Sequence, residues 1–516
     1  MLILFLKKYQ ASRLQFKQGA AYTRDGGITV FMALSLTIIL SLMLSTVESA
    51  RIHAIMSFEK ESAQLALESV LAEYNIPLYE RYGLFAVDGN RDYLTEDILK
   101  YAERNETQGI FAFEASQAYI AETVLLSDMD YMPMEKEIVQ YMKVKKGEDL
   151  ISSLSNQNNQ TELSKIQSSK KDLNKKIDEY AEAAQLESEQ NNGEIVTDNE
   201  ADNAESVKDP RKSLMDILKE GILKLILPEG TAVSQKSLKE TVNQTKEEKI
   251  CHGISDFNQT QQVTNFLQSM DFSQNMVQAA TDQLNGLIVN EYILEHFKRA
   301  AASDEICKSQ TTQLQYEIEY IICGHSDDRD NLLDIANRII LIRTALNTAY
   351  LMSDAEKVSQ VHTLAASLSA IFPFMEPVVY MLIMAAWGYA ESIVDVRSLL
   401  AGSRVPLMKN RMTWNLSLTA LMDGKLNETG QDSEGMDYGD YLRILLFVTK
   451  RKIKYERMEN LIQANIRLEE GFKDFTMHRC YYALTCYFEF YSETLFGAYT
   501  GNQRRYVNNE QWAECY

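Results

Sequence analysis

The stretch Ile28–Val47, ITVFMALSLTIILSLMLSTV, runs twenty residues without a charged side chain. At about 1.5 Å per residue, a helix of that length spans about 30 Å, the hydrocarbon thickness of a bilayer. Upstream, residues 1–27 carry Lys7, Lys8, Arg13, Lys17 and Arg24 against one acid, Asp25. Such a basic flank keeps the N-terminus in the cytoplasm and sends everything after Glu48 outward, so these five cations are the topology-determining residues. A cleaved signal peptide starts in the same way, but its apolar core covers only about 7–15 residues. Here the core is longer, Glu48 sits inside the small-residue exit Val47-Glu48-Ser49, and helical sequence continues beyond it. The expectation is a single-pass protein of the cytoplasmic membrane, with residues 1–27 inside, a transmembrane helix at 28–48, and residues 49–516 extracellular.

No glycine occurs between Gly27 and Gly83, and the first proline is Pro77, so one helix can run from Ile28 to about Asn75. Its outer half keeps Ile52, Met56, Ala63, Ala66, Leu67, Val70, Leu71 and Tyr74 near helical spacing, a stripe that predicts packing on a small domain. YGLFAVDGN (82–90) ends an apolar run in an Asp-Gly turn, QAYIAETVLL (117–126) alternates as a strand does, and MEKEIVQYMKVKK (134–146) is helical, so 49–147 reads as an α+β domain. Residues 148–212 lose apolar content. Between Glu187 and Asp209 there are eight acids and one lysine, the composition of a polar acidic linker, preceded by a fraying helix around KKDLNKKIDEYAEAAQL.

From 213 to 516 helical periodicity returns in SLMDILKEGILKLIL, NLLDIANRIILIRTALNTAYLM and YLRILLFVTKRKIKYERMENLIQANIRLEE. YEIEYII (316–322) alternates like a strand, and so does HRCYYALTCYFEF (478–490). The expected fold class is therefore α+β and mainly helical: a long N-terminal helix, a small α+β domain, a linker, and a larger helix-rich domain with some strands. A second apolar run, IFPFMEPVVYMLIMAAWGYA (371–390), is shortened by Glu376, Pro373 and Pro377 at its start and by Glu391 and Asp395 beyond its end. About 13 usable residues fit a buried core helix better than a crossing.

The chain has 516 residues, 45% of them hydrophobic, and a net charge of −21. That length can bury a sizeable core, and that charge argues against nucleic acid or anionic lipid as the partner of the exported part, since both would be repelled. Six cysteines, Cys251, Cys307, Cys323, Cys480, Cys486 and Cys515, lie beyond the span, where disulfides can persist. Cys480 and Cys486 share parity on a strand and would stand about 20 Å apart, too far to bridge. Buried free thiols are the simpler expectation, and the pairing is not set by the sequence.

Catalytic signatures are missing: no GxSxG, GxxxxGK[ST] or HExxH and no glycine fingerprint after a strand. The six histidines, His53, His252, His296, His325, His362 and His478, are scattered and read as surface or satisfied polar residues. GHSDDRDN (324–331) offers Asp327, Asp328 and Asp330, but it lacks the central glycine and closing glutamate of a calcium loop, so these acids are expected to cap the helix that follows. No cofactor, no metal site and no enzymatic activity are expected.

The span itself holds the more specific pattern. Thr29, Ala33, Thr37, Ser41 and Ser45 recur every fourth residue, continued by Ser49. A small-residue ridge lets another helix approach closely in lipid, which makes these five residues the candidate membrane-helix interface and admits self-association as well as a partner helix. The competing expectation is hydroxyls bonded back to their own helix.

GGITVFMALSLTIILSLMLSTVESARIHA (26–54), followed by LESVLAEYNIPLYERYGLFAVDG (67–89), resembles the N-terminal region of TadE/TadG-like proteins, the pseudopilin-related components of Flp-type (tight-adherence) pilus systems, and among them a branch from low-GC Gram-positive bacteria. AAWGYAESIVDVRSLLAGSRVPLMK (385–409) and DYLRILLFVTK (440–450) extend the resemblance. It implies a pilin-like outer domain and a membrane-anchored part in a pilus or secretion assembly, with pilins or assembly proteins as partners. Assembled pilins carry glutamate at the fifth position after the cleaved glycine; here that position is Met32 after Gly27 or Phe31 after Gly26, which implies a protein that stays in the membrane. A surface receptor or adhesin, presenting a helical ligand-binding domain on a flexible linker, is the alternative.

Overall fold

Between Asp25 and Leu71 the chain is a single α-helix, α1, as the absence of glycine and proline after Gly27 permits. The computed structural model describes residues 25–156, 210–211, 214, 221–227, 232–238, 278–301, 311–370, 373–426, 434–495 and 505–516. The basic residues Lys7, Lys8, Arg13, Lys17 and Arg24 lie outside them, as does almost all of the expected linker, with Cys251, His252 and Cys307. The fold is mainly helical α+β, with a small antiparallel sheet and an N-terminal apolar helix.

After α1 come α2 (Ile76–Tyr82), β1 (Val87–Asp88), α3 (Arg91–Arg104), β2 (Glu114–Leu125) and α4 (Asp128–Asn156). The helix-rich stretch contributes α5 (Ile222–Ile226), α6 (Gln278–His296), α7 (Glu317–Cys323), α8 (Asp328–Ser353), α9 (Ala355–Leu368), α10 (Glu376–Leu400), α11 (Leu418–Met422), α12 (Tyr438–Val448) and α13 (Arg451–Ile466). The chain closes with β3 (Cys480–Glu493) and β4 (Arg505–Cys515). In the sheet β3 lies between β1 and β2 and also pairs with β4; Val87 stands opposite Tyr481 and Asp88 opposite Cys480.

The chain forms two compact units, one of residues 1–72, 90–122 and 484–515, the other of 73–89, 123–483 and Tyr516. The expected segments 49–147 and 213–516 each contribute to both: 73–89 and 123–147 belong to the second unit, and 484–515 to the unit that holds α1.

In the first unit the outer half of α1 packs on α3 and β4. Its buried face is Ile55, Ala63, Ala66, Leu67, Val70 and Leu71, close to the expected stripe, but Ile52 and Met56 are only half-buried. Polar side chains complete the face: Arg51, Glu59 and Ser62 are buried too, and Ser62 donates to the Ala102 carbonyl of α3 at 3.2 Å. Along β3, Leu484, Cys486, Phe488 and Phe490 are buried at alternate positions, as the period of a strand dictates.

In the second unit α8 and α10 lie along one another, α9 covers α10, α7 packs on α8 and α13, and α6 packs on α4 and α12. The run 371–390 is not a free apolar segment: α10 continues to Leu400, and 67% of its most apolar window is buried. Gly388 permits the contact with α8, since a Cβ there would meet Thr348 Oγ1 at 2.3 Å.

One expectation is overturned. YEIEYII is the helix α7, not a strand. Residues 317–322 are buried on every side, so alternation of polar and apolar residues does not report a face. The two glutamates are held individually: Glu317 accepts from Lys298 N at 2.8 Å and Asn465 Nδ2 at 2.6 Å, and Glu319 Oε1 accepts from Ala300 N at 2.9 Å and the Tyr438 hydroxyl at 2.8 Å, while its buried Oε2 makes no hydrogen bond. Gly324, with φ +83, ends the helix in the left-handed conformation that a side chain disfavours.

Candidate functional site

The inner half of α1 is an extended, exposed apolar surface. Ile28, Val30, Phe31, Met32, Leu34, Leu36, Ile38, Ile39, Leu40, Leu42, Met43 and Val47 are all exposed, and none of the most apolar window is buried. Exposed apolar surface on this scale marks contact with lipid or another protein. By length and composition α1 is able to cross a membrane.

Thr29, Ala33, Thr37, Ser41 and Ser45 are exposed on this half and Ser49 follows, so the ridge lies on an uncovered face of the helix. Its hydroxyls are partly engaged at home. Thr37 donates to Leu34 O at 2.8 Å, as Ser35 does to Met32 O and Thr46 to Met43 O. The back-bonding weighed against the ridge is present at Thr37, and there the ridge offers shape rather than a hydrogen bond.

At the end of the span a cluster appears that the sequence reading did not single out. Arg51, buried, donates Nε and Nη2 to Glu48 at 3.2 and 2.8 Å, Nη1 to Ile110 O at 2.9 Å, and Nη2 to Glu493 O at 2.5 Å. Glu48 Oε1 also accepts from Leu495 N at 3.2 Å. One i,i+3 ion pair thus holds two segments, the turn Gly109–Phe111 and the end of β3 with its exit at Glu493–Leu495, against the first helical turn beyond the span. The only sequence signal was the Glu-x-x-Arg spacing itself.

The second unit holds a cavity of about 880 Å³ between α4, α6, α12 and α13, lined in part by Lys136, Lys143, Arg451, Lys454 and Tyr455 with a single carboxylate, Glu135. Glu135 accepts from Arg451 at 2.7 Å and from the Tyr455 hydroxyl at 2.9 Å, and Lys454 donates to Asn290 at 2.8 Å. Burial lowers Lys454 to about 8, so its charge is held at some cost. Next to the cavity Met129, Asp130 and Tyr131 are all left-handed (φ 50, 55 and 66), a rare conformation for side-chain-bearing residues. Tyr131, donating to Glu459, and Arg451, donating to Asp130 O at 2.9 Å, hold it there.

A second charged cluster is sealed. Arg343 on α8 reaches Asp395 on α10 at 2.9 Å and donates to Asn347 and to the carbonyls of Pro406 and Leu407. Lys409 pairs with Glu391 and, at 2.6 Å, with Asp395. Glu391 in turn accepts from the backbone N–H groups of Asn415 and Leu416. Burial would raise Asp395, but Arg343 and Lys409 outweigh it and hold the carboxyl below its usual range; burial pushes Glu391 up. All four charged side chains are at most 1% exposed, so they reach no ligand and instead fix the 404–416 segment to α8 and α10.

Of the three acids at the start of α8, Asp328 in the first turn is buried and accepts from Ser234 Oγ, Gln315 N and Tyr316 N. Its role is to tie neighbouring segments together, while Asp327 occupies the N-cap position without a side-chain bond. The described histidines are dispersed. His296 stacks on Tyr292 and is pushed by burial and Lys145 to about 4; His325 meets Asp334, His362 stacks on Tyr380, and His478 lies 3.5 Å from Glu459. Among the described residues no three His, Cys, Asp or Glu side chains converge as a metal site. Cys323, Cys480 and Cys486 are free thiols, each raised by burial, Cys486 to about 12, which suppresses the reactive thiolate.

The model of a protein family described as "Family of unknown function (DUF5702)" matches residues 199–492, more than half of the chain. The chain belongs to that family. The match takes in α5 to α13 and nearly all of β3, and so the sealed cluster, but not α1. No curated protein and no solved structure matches the chain.

Proposed function

We propose that this protein is a non-enzymatic, single-pass membrane component of a tight-adherence (Flp-type) pilus or secretion assembly, with its N-terminus in the cytoplasm and the rest beyond the span outside. The observation that carries the reading is the division of α1: its outer half is packed into a unit, while its inner half offers apolar surface with a small-residue ridge and no covering element among the described residues. Association through that ridge, together with contacts from the outer units, would link the protein to pilins or assembly proteins. The resemblance of residues 26–54 and 67–89 to TadE/TadG-like sequences supplies the type of assembly.

The test joins topology to phenotype. In spheroplasts added protease should remove mass after residue 50 and spare an N-terminal tag. Deletion of the protein should abolish surface pili, and a chain lacking residues 28–47 should not restore them. A tag cleaved from outside, or piliation indifferent to the deletion, rejects the reading. The cation-lined cavity of the second unit favours the alternative, a surface receptor or adhesin. Intact pili with lost surface attachment would select it.

A further inference from the structure

The Glu48–Arg51 clip places two exposed apolar turns at a defined height along α1. Arg51 follows Val47 by four residues, so its Cα lies about 6 Å beyond the end of the apolar span. Helical side chains lean toward the helix N-terminus, so the guanidinium reaches back toward the span. It is there that Arg51 Nη1 holds Ile110 O, Nη2 holds Glu493 O, and Glu48 holds Leu495 N. The polar interface of a bilayer extends about 5–8 Å beyond the hydrocarbon on each side. Both turns therefore fall within it if α1 spans.

Their side chains suit that place. Ile110 is 61% exposed, Phe111 40% and Leu495 46%, and Val47 at the end of the span is exposed as well. Gly109 takes φ +84 and Thr107 donates to Phe111 O, which shapes a tight turn with Ile110 near its tip. The Phe111 ring meets Phe58, further along α1, edge-on at 5.9 Å and braces the turn from the outer side.

We propose that the turns Gly109–Phe111 and Glu493–Leu495 dock on the bilayer that α1 crosses, with Ile110 and Leu495 inserted at the boundary between headgroups and acyl chains. This rests on the membrane-spanning reading of α1 and deepens it. Lipid is the occupant because the turns are held at Glu48 and Arg51, the first helical turn after the exposed apolar span, and a soluble partner would have to occupy the headgroup layer to cover them. Anionic lipid is not required: the contact is apolar, and a chain of net charge −21 gains nothing from negative headgroups. Docking removes the spin of α1 about its axis, so the ridge faces a fixed direction and assembly loses less rotational freedom.

The test uses the full chain in phosphatidylcholine vesicles, with an environment-sensitive fluorescent amino acid placed in turn at position 110, at position 38 in the span, and at Tyr93, which is 70% exposed on α3. Nitroxide-bearing lipid should quench 110 and 38 but not 93, and aqueous iodide should quench 93 alone. Quenching of 110 by iodide and not by lipid, while 38 stays lipid-quenched, overturns the docking and leaves the span intact. Iodide quenching at 38 rejects the span, and the docking falls with it.

Discussion

α1 and α10 are both long and apolar enough to cross a membrane, yet the most apolar window of α1 is wholly unburied and that of α10 is 67% buried. The difference lies in what interrupts the apolar side chains. Between Ile28 and Val47 the interruptions are Thr, Ser and Ala, small groups that satisfy themselves or leave room for a neighbour. In α10 they are Gly388, Glu391, Ser392 and Asp395, each needing a particular partner: Thr348 close by, Lys409, Asn347 and Arg343. A carboxylate in an apolar helix is tolerable only where protein surrounds it with cations and donors, so these acids identify α10 as a core helix. The sequence reading treated Glu391 and Asp395 as the end of an apolar run. They are its interior anchors.

The most forceful way to break the contrast is to remove Arg343. Arg343→Met leaves Asp395 buried with Lys409 as its remaining cation, and loss of one partner of a buried pair typically costs about 3–5 kcal/mol. The second unit should lose that stability in denaturant titration, while membrane insertion of α1 is unchanged. Unaltered stability would mean that the α8–α10 seam is held by apolar packing alone, and the carboxylates would no longer distinguish the two helices.

pH sharpens the contrast, because the span carries no ionisable side chain and the second unit buries several. Burial, opposed by the donors Ala300 N and Tyr438, holds Glu319 up at about 7, and burial raises Glu137 to about 7 as well. The folded protein thus keeps these protons to higher pH than the unfolded chain does. Their contribution is complete below about pH 4.5 and declines as pH rises toward 7, by at most about 3 kcal/mol for Glu319 at 1.36 kcal/mol per pKa unit. His296, lowered to about 4, acts in the opposite sense and costs stability as pH falls from about 6.5. Glu319→Gln should flatten the loss in melting temperature between about pH 5 and 8. An identical slope in this variant would show that Glu319 is ionised in the folded state with its two donors sufficient to hold it.

Much of this fold was legible because periodicity reports a face wherever a segment has one wet side. The outer half of α1, α8 and the alternating β3 follow from spacing alone. Periodicity fails where burial is complete, which is why Glu317 and Glu319 in α7 imitated a strand. It also fails where the pairing is distant: Arg343 meets a carboxylate 52 residues away, and Arg51 holds carbonyls of Ile110 and Glu493. A charge in a sequence reads as surface unless its partner is visible, and these partners come together only in the folded chain. The helical stretch 441–470 carried no glycine or proline before Gly471 to announce a break, yet it divides where Thr449 is extended.

The smallest expected effect concerns the ridge, and it separates shape from hydrogen bonding within the exposed half of α1. Helices in lipid gain little from hydrophobicity; close approach and interhelical hydrogen bonds drive association, the latter averaging about 0.6 kcal/mol and reaching at most about 2. The Thr37 hydroxyl already bonds Leu34 O, so removing it should cost less than filling the space beside it. Thr37→Val keeps the volume and loses the hydroxyl; Ala33→Leu, Thr37→Leu and Ser41→Leu together keep insertion favourable and block close approach. Crosslinking of the span in vivo should fall in the triple variant and stay near wild type for Thr37→Val, with Phe31→Leu, Ile38→Leu and Met43→Leu as controls off the ridge. A triple variant that associates as well as the controls would mean that the fourfold spacing is an accident of composition. The partner of α1 would then have to be sought through the outer units, and the exposed half of the helix would be an anchor only.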